Sequence, residues 1–469
     1  MRPSTAPRRS GRSSASPTPA EPPVSPPLYQ RILFPASSPP KPPRILHSSA
    51  HTALDPLLLD LIALSLRAYV TPWYNGGISR DPDKAFLQAV TAVLVHVVQA
   101  LEVRLATVDW TELLVAELPE LLAQHYRDWD LAVEKAGGGT AHNLSPELVF
   151  HRLQPHIAIS LVSITDSSSP EAERTKPEVD KVYLRTLVNH LLKLLLLPAD
   201  YRAETERGIV REILVGVVFG SVYGRVAQPW FIHGLIARQL ETREAAGQAR
   251  AKADRTMGTL ASSPVDRILV ALSKLPGAAS VAWSFVASLA FLSKSTSVPA
   301  HYASQPPLSS SLSALAIAML PTSSFLAQLV HFLTLPLAFF ASLVDALLVH
   351  FITTRLTTDA TAKLVLEGAI RGMFPNDGWP APKEDDPDEE QQEELKRRCE
   401  EALARALPAS AASFLDLDVP LSAGDPRLPL ARHLLRPFTS HIANVHLLIL
   451  IVDLVVGKLF PELLTSPDD

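Results

Sequence analysis

The residue types that do chemistry are present in this chain, but their spacing is not. It holds 15 histidines and one cysteine, Cys399. A zinc site needs its ligands in short-range pairs, and a catalytic dyad needs a base beside a nucleophile. His96, His190, His331 and His446 each stand alone in largely apolar text. A single imidazole on such a face reads as a hydrogen-bonded core residue. The acids gather between Glu384 and Glu394, a run that reads as a solvated spacer. No G-x-S-x-G elbow, H-E-x-x-H pair, Walker loop or G-x-G-x-x-G turn occurs. The triple glycine 137–139 follows helical text, so it does not read as a phosphate cradle. Gly216, Gly220 and Gly224 recur every fourth residue, which in a bundle lets a neighbouring helix come close. On this reading there is no catalytic residue, no metal ligand and no cofactor, and the protein is expected not to be an enzyme.

The elements that would position any site are helices. Asp55-Pro56 reads as a helix opening, with Asp as N-cap and Pro at the first turn. Leu54, Leu57, Leu58, Leu61 and Ile62 then share one face, and the helix should end near Tyr69, before Pro72. Asp81-Pro82 repeats the opening ahead of a stripe from Phe86 to Leu105. Asp109 with Glu112 reads as a capping-box-like start to a helix running to about Val133, and Ser145-Pro146 as another start. Ser167 to Pro177 reads as a polar surface loop. Helices are expected over Tyr183–Leu197, Glu204–Ala227 and Pro229–Leu240, and again from about Cys399 to Leu464. No useful β-alternation appears, so the fold class is all-α, a helical bundle.

Composition limits the partners. The 469 residues carry a net charge of -5, with 47% hydrophobic and only 19% charged residues against a usual ~25%. Mean hydropathy is +0.15 and the isoelectric point about 6.3, which argues against nucleic acid as a partner. One cysteine leaves no internal disulfide framework. Residues 1–50 are rich in Pro, Ser and Arg and read as a disordered tail that can recruit protein partners or touch anionic lipid. The remaining boundaries fall at 52–243 for a helical domain, 244–380 for an apolar middle region, 381–398 for the acidic linker and 399–464 for a C-terminal helical region. Pro276–Ser293 (its core 278–293) and Phe325–Ile352 could be taken for membrane anchors. The second carries Gln328, His331, Asp345 and His350 with Pro336 in its middle. A buried or interfacial helix suits both better than a span.

Two stretches are more specific. The first runs from Leu54-Asp55-Pro56-Leu57-Leu58-Leu59-Asp60-Leu61-Ile62 into Tyr69-Val70-Thr71-Pro72-Trp73-Tyr74. The second joins Tyr183-Leu184-Arg185 to Arg211-Glu212-Ile213-Leu214 and ends on Gln228-Pro229-Trp230-Phe231-Ile232. With Asp109-Trp110 between them, they resemble the PXA (PX-associated) domain over about Thr52 to Leu240. Trp73, Tyr74, Arg211, Glu212, Trp230 and Phe231 carry the motif; His233 stands where the family usually has Asn. Near the other end, Asn444-Val445-His446-Leu447-Leu448, Asp453-Leu454 and Leu459-Phe460-Pro461-Glu462-Leu463 resemble the close of the nexin C-terminal domain. No PX or RGS module is recognisable, so the chain is similar to a fungal type that carries PXA without PX.

The resemblance implies lipid-related work on the cytoplasmic face of endomembranes (ER, endosome or vacuole), with a phospholipid or other lipid and a membrane surface as partners. It also implies that the PXA and C-terminal regions pack together around an apolar interior. The expected lining is Leu187, Leu191, Leu194, Leu195, Ile213, Val217, Leu447, Leu450 and Leu454. Helices apolar on nearly every side must be enclosed by protein, lipid or membrane. Other readings are a protein-interaction scaffold, and an integral membrane protein anchored by 278–293 and 325–352.

Overall fold

Proline, glycine and polar punctuation cut the chain into helices much as the spacing predicts. The computed structural model describes residues 27–34, 44–48, 51–78, 85–138, 144–165, 173–216, 220, 223–257, 307–321, 328, 332, 341–376, 378–380, 385–408, 425 and 427–464. The Asp81-Pro82 opening, Val217, all of 276–293 and most of 325–340 lie outside them.

The first half holds α1 (Leu28–Leu33), α2 (Asp55–Ser65), α3 (Ala85–Thr107), α4 (Leu118–Gly137) and α5 (Pro146–Leu153). A hairpin of β1 (Ile159–Thr165) and β2 (Glu173–Val179) leads to α6 (Lys181–Leu195), α7 (Glu204–Ile213) and α8 (Pro229–Met257). Then come α9 (Leu308–Ala318), α10 (Ala341–Phe351), α11 (Asp359–Met373), α12 (Glu389–Ala406), α13 (Leu428–Leu435) and α14 (His441–Leu459). Among the described residues the fold is all-α apart from that one antiparallel hairpin.

Several local expectations are corrected. The polar loop ends in a strand, because β2 pairs with the β-branched text before the loop, Ile159 opposite Val179 and Leu161 opposite Pro177. Asp55 sits inside α2 rather than at its cap, and its carboxylate accepts the Leu46 backbone N–H at 3.0 Å. Helical geometry passes through Pro72 by way of a widened turn at Leu66–Val70. The helix expected to stop at Leu240 runs to Met257. In the expected spacer, Asp388 and Gln391 form a reciprocal capping box that starts α12.

The N-terminal stretch also departs from expectation. Leu33 and Ile45 are fully buried against Leu59, Ile62, Ala63, Leu87 and Val95, and Tyr29 N–H donates to Asp60 at 2.9 Å. A composition averaged over fifty residues hid the apolar cluster Leu28, Tyr29, Ile32 and Leu33. Asp345, awkward for a bilayer, has a protein role: its buried carboxylate accepts the N–H groups of Leu308 (3.2 Å) and Ser309 (3.0 Å) at the start of α9.

Candidate functional site

The site is built where the last helix meets the first half of the chain. Ser440 caps α14 by accepting the Ala443 N–H. The helix then buries Ile442, Ala443, Asn444, Val445, His446, Leu447 and Ile449. Val445 and Ile449 pack with Ala158, Ile159, Tyr223 and Ala227. Ala443 joins Trp129, Val149 and Phe150 of α4 and α5. Each large aliphatic side chain enclosed this way contributes roughly 1.5–3 kcal/mol.

Polar groups fix the register of that contact. Asn444 donates through Nδ2 to the carbonyls of Ala227 (3.0 Å) and Phe438 (3.1 Å). The Tyr223 hydroxyl donates to the Val445 carbonyl at 2.6 Å. Asp453 accepts from the Tyr183 hydroxyl at 2.6 Å and meets His156 Nε2 at 3.0 Å. At the far end Lys458 pairs with Glu117 (2.7 Å) and Glu112 (3.3 Å). There Arg104 donates to the Leu459 carbonyl and Glu462 and lies 4.4 Å over the Phe460 ring.

Histidines cluster under the same helix. His151 Nδ1 and His446 Nε2 meet at 3.0 Å, and the rings of His125 and His446 stand edge-on to Phe150. Burial pushes His125 down to about 4 and His446, with neighbouring imidazoles adding, down to about 3. Burial, reinforced by Asp453, raises the Tyr183 phenol. The Tyr183–Asp453–His156 chain has the partners of a proton relay, but its members join three separate elements and serve to hold them together. Among the described residues no group of three or more His, Cys, Asp or Glu could hold a metal ion.

Beside this seam lies an open cleft of about 710 Å³. Lys176 and Glu178 of β2 and Lys181 and Arg185 of α6 form one wall; Gly216, Gly220 and Gly224 form another. Its apolar floor is Leu184, Val215, Tyr223 and Val445. A second hollow of about 420 Å³ lies between Glu117–Gln124 and Ser311.

The expected lining residues are distributed unevenly. Leu447 is buried and Leu450 is half-buried against the Val445–Ile449 cluster. Leu187, Leu191, Leu194, Leu195 and Leu454 are half-buried, and Ile213 is 48% exposed. None of these borders either hollow; Leu184 of α6, Val445 of α14 and Val215, two residues past the end of α7, border the larger one. α6 turns Leu184, Val188 and Leu192 inward onto Val215, a stripe one position from the expected one. On a helix with leucine on most sides, hydropathy does not say which stripe is buried.

The motif residues are structural. Tyr74 stacks on Phe86 with ring centres 3.9 Å apart; Trp73 lies on the described backbone. Glu212 accepts a forked pair of bonds from Arg185, joining α7 to α6, and those bonds hold its carboxyl below the usual range. Arg211 adds a bond to Glu212 at 3.2 Å. Trp230 lies under the Arg225 guanidinium at 5.3 Å and edge-on to Phe231. Asn444 and Asp453, named above only for the resemblance they carry, hold the last helix in register, a role the sequence reading did not assign them. Their signal was legible: one acid and one amide in an otherwise greasy helix.

Residues 51–239 match the family model of the PXA domain, so the chain carries a PXA domain spanning α2 to the first turns of α8. Its relatives include PXA domain protein 1 of Schizosaccharomyces pombe, 32% identical over 169 residues, which is 36% of this chain and 30% of that protein. Sorting nexin-13 of Mus musculus is 25% identical over 189 residues, 38% of this chain and 18% of the relative. Sorting nexin-25 of Mus musculus is 26% identical over 192 residues, 41% and 20% of the two lengths. The aligned stretch thus spans less than a third of each relative. No solved structure matches the chain.

Proposed function

We propose that this protein is a non-enzymatic lipid-binding component of membrane trafficking. It works as a lipid carrier or tether at the cytoplasmic face of endomembranes or at their contact sites. The PXA domain and the sorting-nexin relatives support a trafficking role. The observation that carries the lipid reading is α14. A 19-residue helix, apolar enough to cross a bilayer, instead closes on the PXA bundle and leaves a half-apolar cleft beside the seam. Its position also supports the likeness of 444–463 to the nexin C-terminal domain.

Mass spectrometry of organic extracts from the purified full chain tests this. Co-purified lipid in stoichiometric amount, exchangeable with labelled liposomes, is the expected result; lipid-free protein that takes up none would sink it. A second reading, a membrane-integral protein, draws on α3 and α14, both long and apolar enough to span. Asn444, His446 and Asp453 bonded into the bundle count against it for α14. Release of the protein by carbonate would exclude it.

A further inference from the structure

The cleft beside the seam has a charge pattern that the lipid reading alone does not call for. Two of its three acids are already committed. Glu212 is held by Arg185 at 2.9 Å, and Asp386 sits 3.7 Å from Arg225. What remains is Lys176, Lys181 and His441 against Glu178. Neither lysine has an ion-pair partner among the described residues. Lys176 also stands close enough to His441 for its charge, after burial, to help push the imidazole down to about 4. Two groups that repel as cations therefore line the same cleft. His441 opens α14 and lines the cleft, so the partial positive charge at the start of that 19-residue helix lies beside it.

The rest of the cleft is shaped for carbon. Leu184, Val215, Tyr223 and Val445 form its floor. Among the described residues, a Cβ placed on Gly216 or Gly224 would meet nothing within 4 Å, so both positions have room for a longer side chain or a ligand. Helical spacing carries the apolar track outward through Ile213 and Ile209, both about half exposed. A volume of about 710 Å³ lies in the ~300–1,000 Å³ range of small-molecule sites.

We propose that this cleft binds the phosphate of an anionic amphiphile, with Lys176, Lys181 and the start of α14 around the phosphate and the first carbons of the tail over Leu184, Val215 and the glycine wall. The inference rests on the lipid reading above and names its headgroup chemistry. Ammonium–phosphate hydrogen bonds are charge-assisted, roughly twice as strong as neutral ones. Desolvation of the tail adds the apolar contribution, so neither half of the ligand alone should bind as well.

Calorimetry with the full chain tests it, using monomeric dihexanoyl phosphatidic acid, dihexanoyl phosphatidylcholine and inorganic phosphate as probes. Phosphatidic acid should bind at least about tenfold tighter than either of the others. Lys176→Glu with Lys181→Glu, both exposed positions, should weaken it at least about tenfold. Gly224→Leu should fill the cleft and abolish binding while circular dichroism is unchanged. On saturation the His441 imidazole should titrate at higher pH in the NMR spectrum. Inorganic phosphate binding as tightly as the lipid would overturn the amphiphile and leave a plain anion site. If wild type binds phosphatidic acid and both variants bind it equally well, the site is wrong while the lipid reading stands. If no probe binds and no lipid co-purifies, both fall.

Discussion

At the scale of single residues, the seam depends on polar groups that have nowhere else to go. Asn444 is fully buried, and Asn444→Ala would leave the carbonyls of Ala227 and Phe438 without their donor. A loss of about 2–3 kcal/mol is expected in urea unfolding of the full chain. The histidines make the same region acid-sensitive. Free imidazole titrates near 6.5, whereas His125 and His446 are held near 4 and 3. The folded state thus refuses protons that the unfolded chain accepts. Their contribution is complete above pH ~6.5 and is lost as pH falls toward 4 and then 3, up to about 3 kcal/mol for His125 and about 5 kcal/mol for His446. His125→Gln should flatten the decline in urea midpoint between neutral pH and about 4.5; an unchanged slope would contradict the assignment. Ser145 and Asp109 were readable as caps because their partners lie two or three residues away. Asp55 was not, because its partner lies nine residues back on a separate segment.

At the scale of elements, legibility followed periodicity. The apolar repeats of α2 and α3 are local signals; the Asp388-x-x-Gln391 box of α12 is equally local, but the acids around it made the run read as a solvated spacer. β2 has no such signal: Glu173, Arg174, Thr175, Lys176 and Pro177 alternate nothing apolar, and proline argues against a strand. It exists because β1 supplies a partner, and it places Lys176 on the wall of the cleft. α12 shows how a charged run can still be anchored. Its acids and bases pair along the surface, Arg397 with Glu394 and Glu401, while Arg398 reaches Glu241 of α8 and Arg432 of α13 reaches Glu400. Beneath them Cys399 is fully buried against Ala237 and Leu435. Burial, with Glu400 adding, pushes its thiol up to about 12, so the thiolate is scarce at neutral pH. Labelling by a disulfide reagent should be negligible in the native chain and complete in urea. Rapid native labelling would mean that α12 does not sit on α8 and α13.

At the scale of the whole molecule, the last helix completes a bundle that begins four hundred residues earlier. Without it, the faces formed by Ala158, Ile159, Tyr223 and Ala227, and by Trp129 and Phe150, lose their cover. The sequence pointed to this closure through two sets of helices too apolar to stand in water. The meeting surface was hidden, since it depends on which stripe turns inward and on Asp453 finding Tyr183 and His156 some 270 and 297 residues away. If the closure is integral to folding, a chain ending at Thr439 should bind a hydrophobic dye and unfold at lower temperature with less cooperativity. Adding a peptide of residues 440–464 should reverse both changes. The same peptide carrying Asn444→Ala and Asp453→Ala should rescue poorly, because it keeps the grease but loses the bonds that set register. A truncated chain that melts as the full chain does, without dye binding, would show that the PXA domain closes its core alone and that α14 is an accessory to it.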